Sequence, residues 1–191
     1  MLRNCPAERD AGEAVKLIIM KDSGAKTKSR TILGIDPGLA DTGFGIIEES
    51  ASKLRCLAYG SIKTKRGLDL STRIWELEKE LEKIIKKYQP ELACVEQLFF
   101  CNNAKTALLV GQARGVVLLT LVKNKLPLLE FTPLQVKQAV TGYGSADKKQ
   151  IQQMVKLILS LKEIPRPDDA ADALAIAICG AGSRLLTSYQ S

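Results

Sequence analysis

Histidine is absent from this chain of 191 residues. That absence excludes Ser-His-Asp and Cys-His catalysis together with histidine-ligated zinc, so any hydrolytic chemistry must rest on carboxylates, lysine or metal ions. The five cysteines, Cys5, Cys56, Cys94, Cys101 and Cys179, form no CxxC pair, and free thiols in a reducing cytosol are expected. Long apolar runs are missing too. None approaches the roughly 18 residues of a membrane span, and the nearest approach to a signal segment, "AVKLIIM" at 14–20, is short and interrupted by Lys16. A cytoplasmic protein with no membrane partner is expected.

What is present is globular in composition, with 46% hydrophobic and 26% charged residues. The length suits one domain with a substantial core. The division expected is an atypical or disordered extension over 1–29, a single domain over 30–187 and a short tail over 188–191. Met20 is an alternative start, because "KDSGAKTKSR" reads as a polar lead-in to the first strand. The net charge of +7 favours an anionic partner, but residues 1–30 hold seven Lys or Arg against four Asp or Glu. The body carries only +4 and needs a local basic face to hold DNA.

Three strands come first, "TILGID" at 31–36, "TGFGIIE" at 42–48 and "RCLAYGSIK" at 55–63, joined by short turns as in an antiparallel meander. Leu70, Ile74, Leu77, Leu81, Ile84, Ile85 and Tyr88 then recur at helical spacing up to Gln89-Pro90. "LACVEQ" at 92–97 has the apolar run of a buried parallel strand. A helix over about 103–124, a strand "LLEFTP" and helices over about 134–141, 146–161 and 168–187 complete the chain. The order predicts an α/β fold: a mixed five-stranded sheet, three strands antiparallel and the rest in parallel βα units, with helices on both faces.

Four acids stand in apolar company. Asp36 ends the first strand, where open α/β sheets place ligand sites, although a turn-capping role for Pro-Gly would also explain it. Glu96 ends the fourth strand, or simply reaches solvent there. In "PDDAADALAIAICGAG", Asp168 is an expected N-cap, and Asp169 and Asp172 share a face of an otherwise apolar helix. The helix dipole accounts for Asp169 but not for Asp172, whose burial requires a metal ion or a buried arginine. Converging, the four would form an all-oxygen site suited to Mg²⁺ or Mn²⁺. Two such ions about 4 Å apart can drive phosphodiester hydrolysis.

"ILGIDPGLADTGFGII", "VEQLFFCNNAKTALLVGQARG", "QVKQAVTGYGSADKKQIQQMV" and "DAADALAIAI" resemble, in order, the bacterial RuvC family of crossover junction endodeoxyribonucleases. The resemblance implies an RNase H-like fold, a homodimer, and Mg²⁺-dependent paired nicking of four-way DNA junctions to leave 5′-phosphate and 3′-hydroxyl ends. It also implies work beside the RuvA and RuvB branch-migration proteins. Catalytic and metal-binding roles fall on Asp36, Glu96, Asp169 and Asp172. Phe99, with Phe100 beside it, matches an aromatic near the junction centre and suits stacking on unpaired bases, unless one packs inward. Lys137 and Lys148 match DNA-contacting positions. Gly142, Gly144 and Ser145 offer backbone N–H groups to phosphate with Lys148 and Lys149 adding charge, the alternative being an ordinary solvated helix start. Ala107, Gly111 and Gly115 form a small-residue stripe that faces either the sheet or a second subunit.

Asn102 stands where the family often has a basic residue, with Lys105 nearby. An ATP-binding protein of the same fold class would need a second domain that this length cannot hold. A nuclease acting on RNA–DNA hybrids and a catalytically silent junction-binding protein remain as alternatives.

Overall fold

The computed structural model describes residues 29–51, 53–98 and 104–183, with backbone alone at 104–106. Phe99, Phe100 and Asn102, the Lys105 side chain and the expected extension up to residue 28 therefore lie outside the described residues. The elements run β1 (Arg30–Asp36), β2 (Asp41–Ser50), β3 (Lys53–Lys63), α1 (Leu70–Tyr88), β4 (Leu92–Glu96), α2 (Ala104–Lys123), β5 (Leu128–Phe131), α3 (Pro133–Thr141), α4 (Lys148–Ile158) and α5 (Asp168–Gly182). They form one sheet in the order β3-β2-β1-β4-β5. β1 to β3 pair antiparallel, whereas β1 with β4 and β4 with β5 pair parallel.

Alternation along β1 sorts its side chains between two cores. Leu33 and Ile35 join Leu77, Leu81, Val117 and Leu121 beneath α1 and α2. Ile32 joins Leu174, Ile178, Val136 and Val155 beneath α3, α4 and α5. Both faces are covered, as a sheet with parallel strands requires.

The second face is unusually close. A Cβ on Gly34 would lie 2.1 Å from Ala173 O and 2.6 Å from Ala177 N, and one on Gly43 would lie 2.0 Å from Asp169 O. Helix α5 therefore rests backbone to backbone on β1 and β2, which only glycine on the strands and small residues on the helix allow. Its residues from Ala173 to Gly180 are all buried, as is the Ala170-Ala171 pair.

Local differences from the sequence expectations have local causes. Thr132 and Pro133 leave the fifth strand and start α3, where Thr132 and Gln135 form a reciprocal capping box with proline in the first turn. Helix α4 begins at Lys148, because Asp147 and Gln150 form a second capping box, while Ala146 goes into the core. Asp168 is not the N-cap of α5. That position falls to Pro167, which makes no side-chain cap, and Asp168 is the first helical residue. On α2 the sheet-facing positions are Ala113, Val117 and Leu121, all fully buried. Gly115 faces open space and Gly111 meets only Leu98, so the small-residue stripe is not what packs on the sheet.

Candidate active site

Asp36 and Glu96 are the last residues of adjacent parallel strands, and Ile35 pairs with Val95 immediately before them. Alternation turns both carboxylates toward the face that carries α5. Asp36 is also opposite Gly43, the glycine over which the Asp169 carbonyl sits. Glycine at that position brings the start of α5 down beside Asp36, and one helical turn carries Asp172 along the same edge. All four acids thus gather at the carboxyl ends of β1 and β4.

Their electrostatics show the crowding. Burial, then the negative charges of Glu96, Asp172 and Asp169, push Asp36 from 3.8 up to about 7, with Lys148 opposing. Burial and Asp172 raise Glu96, against the pull of Lys137. Burial raises Asp172 as well, while Lys148 draws it down. Such mutual opposition is what a shared cation would relieve.

Lys148 is the central counter-charge. Its Nζ lies 3.2 Å from Asp168 Oδ2 and 3.2 Å from Asp172 Oδ2. Partial burial disfavours its charge, yet Asp172 and Asp168 more than compensate and its pKa rises. Lys148 and Lys137 line a cavity of about 220 Å³ with Glu96 and Asp172, floored by Val136 and Ile151. Carboxylates and lysines at one opening suit a metal-assisted reaction on a phosphate ester. As placed, the acids are grouped but not closed into a cage: among the described residues no three acidic or cysteine side chains stand close enough to hold an ion unaided.

The expected phosphate cradle before α4 takes a different form. Gly142 is the left-handed C-cap of α3, and the N-terminus of α4 is occupied by the Asp147 carboxylate, which accepts from Gln150 N at 2.9 Å. An anion there would meet an acid, so no helix-terminus site joins the exposed Ser145 and Lys149 to the four-acid cluster. Lys137 and Lys148 reach it through their side chains, beside Glu96 and Asp172.

Sequence reasoning missed two supports. Arg114 of α2 donates to Glu130 Oε1 at 2.6 Å and to the Glu96 carbonyl at 3.4 Å, tying the end of β4 in place. Gly34 and Gly43 set the height of α5. Glycines at alternate strand positions opposite an alanine-rich helix were the available signal.

The pattern of a known family, described as "Crossover junction endodeoxyribonuclease RuvC", matches residues 32–180. The protein of that description from Desulforamulus reducens is 56% identical over 150 residues, covering 78% of this chain and 92% of that one. Its counterpart from Caldicellulosiruptor saccharolyticus is 53% identical over 160 residues, covering 83% and 96%. Among solved structures, Thermus thermophilus RuvC in complex with Holliday junction substrate superimposes with a TM-score of 0.76 at 37% identity, covering 80% of this chain and 93% of that one. The mixed sheet is accordingly the RNase H-like one that the motifs implied. With four acids at the ends of its two central strands and the start of α5, the chain belongs to the RuvC family of crossover junction endodeoxyribonucleases.

Proposed function

We propose that this protein resolves four-way DNA junctions by hydrolysing one phosphodiester in each of two opposed strands, leaving 5′-phosphate and 3′-hydroxyl ends. The observation that carries the reading is the set of four acids at one sheet edge, crowded enough to hold Asp36 at about 7. Asp36, Glu96, Asp169 and Asp172 would hold Mg²⁺, with Mn²⁺ as a substitute and room in the donor set for two ions. Oxygen donors alone, with no histidine in the chain, match that choice. Ions held by these four acids would supply Lewis-acid activation of water and charge neutralisation at the leaving oxygen.

The chain's own groups do the rest. Lys137 and Lys148, at the cavity mouth beside Glu96 and Asp172, bind the phosphate next to the cut. Asp36, half-buried at the end of β1, keeps its carboxylate beside the start of α5, where Asp169 crosses Gly43. Phe99 and Phe100 follow Glu96 closely in sequence and stack on bases unpaired at the crossover.

Paired cuts need two sites facing a two-fold substrate, hence a homodimer. Leu108, Leu119 and Val122 of α2 are 65%, 57% and 66% exposed. With Gly115 they recur at three, four and seven residues on one face. That face suits a second copy. In the cytoplasm, RuvA and RuvB would deliver the junction.

The test is nicking of a labelled synthetic four-way junction with Mg²⁺, beside linear duplex and RNA–DNA hybrid, using wild type and Asp36→Asn. Paired cuts in the junction alone, lost in the variant while binding survives, are expected. Cutting of the hybrid instead, or binding without cutting, refutes the reading.

A further inference from the structure

Lys148 has two anionic partners, and only one of them belongs to the four-acid set. Asp168 and Asp172 are one turn apart on α5, Lys148 and Gln152 one turn apart on α4, so the two pairs face each other as rungs of a short ladder. Lys148 Nζ stands 3.2 Å from each aspartate. The other Asp168 oxygen, Oδ1, accepts from Gln152 Nε2 at 3.1 Å. Asp168 is thus held from one side and holds from the other. Its side chain is 62% exposed against 31% for Asp172, which puts it at the rim and Asp172 inside.

A lysine ammonium on Asp172 Oδ2 competes with a divalent cation for the charge of the same carboxylate. The ion binds Asp172 more strongly when Lys148 has another anion to hold it. We infer that Asp168, steadied by Gln152, is the positioning residue that keeps the Lys148 ammonium at the cavity mouth while Asp172 serves the ion. Without the Asp168 charge, Lys148 settles on Asp172 and competes there with the ion. This rests on the nuclease reading above, and adds to it a residue outside the four acids together with a route by which Lys148 changes partners.

The experiment titrates Mn²⁺ into DNA-free protein by calorimetry and measures junction cleavage in parallel, for wild type, Asp168→Asn, Lys148→Met and the double variant. Asparagine keeps the shape and the oxygen facing Gln152. Asp168→Asn is expected to weaken Mn²⁺ about tenfold, the low end of what partners behind a metal ligand contribute, and to lower kcat more than it raises KM. In the Lys148→Met background the same change should shift Mn²⁺ affinity less than about twofold, because coupled positions fail to add. Asp168→Glu should restore most of the affinity.

An equal loss in both backgrounds would reduce Asp168 to a distant charge and overturn the inference. So would no loss at all, or a wild type that binds no Mn²⁺. A wild type that binds Mn²⁺ and shows the coupling but never cuts a junction would sink the nuclease reading and leave the positioning role supported.

Discussion

Replacing Gly34 with alanine tests whether the active site is assembled by backbone contact. The new Cβ would meet Ala173 O at 2.1 Å and Ala177 N at 2.6 Å, and neither is the movable end of a side chain. Restoring an ordinary separation of about 3.5 Å requires α5 to lift from β1 by more than about 1 Å. Overpacking of this severity costs about 3 kcal/mol, the upper part of the usual range. In a domain of this size each kcal/mol lowers Tm by roughly 2–4 °C, so a fall of roughly 6–12 °C is expected. Function should suffer beyond stability. Asp169 and Asp172 travel with α5 while Asp36 and Glu96 stay with the sheet, and a misplacement of about 1 Å can cost about 100-fold in rate. Differential scanning calorimetry, and junction cleavage at a temperature well below the variant's measured Tm, separate the two effects. Gly111→Ala is the control, since its Cβ would meet only Leu98 at 3.8 Å, and a helical Gly→Ala change should stabilise by roughly 0.5–1 kcal/mol. Gly34→Ala with unchanged Tm and cleavage would refute the idea that these glycines set the height of the helix.

Three further outcomes are expected. In chelator, Asp36 at about 7 when folded and near 3.8 when unfolded favours the folded state fully only at low pH; stability should fall as pH rises from about 4 through 7, and the rise in Tm on adding Mg²⁺ should be larger at pH 8 than at pH 5. A flat chelator profile over that range would contradict the crowding of the acids. Lys137→Ala should weaken junction binding and reduce the slope of log affinity against log salt by about 0.9, one phosphate contact, whereas an unchanged slope would remove Lys137 from the DNA path. Leu119→Glu should turn a dimer into a monomer in sedimentation and uncouple the two nicks without lowering the first; a variant that stays dimeric would shift the interface elsewhere.

Much of this arrangement was legible in the chain. Strand-end positions for Asp36 and Glu96 follow from apolar runs that stop on an acid, and the paired faces of Asp169 and Asp172 follow from helical spacing. The mixed sheet, three antiparallel strands followed by parallel ones, followed from connection lengths and the switch from turns to crossover helices; the order of the strands did not. Asp168 was misread because Pro167, rather than a capping side chain, precedes α5; Asp168 pairs with Lys148 instead. Similarly, the glycines of "GYGS" looked like a phosphate cradle, but Asp147 satisfies the α4 N-terminus two residues later. Both errors concern which neighbour claims a polar group, and that depends on tertiary position rather than spacing.

The seat of α5 also bears on which second mutations could repair a damaged site. Where a bulky side chain intrudes on another side chain, trimming the partner restores the fit. Here Ala177→Gly would relieve only the 2.9 Å approach of a new Cβ at position 34 to the Ala177 Cβ, and leave its two shorter approaches to the α5 backbone untouched. No substitution along α5 can shorten its own main chain. Suppressors of Gly34 lesions should therefore be absent from the facing helix in a genetic screen, and any that arise should be reversions to glycine.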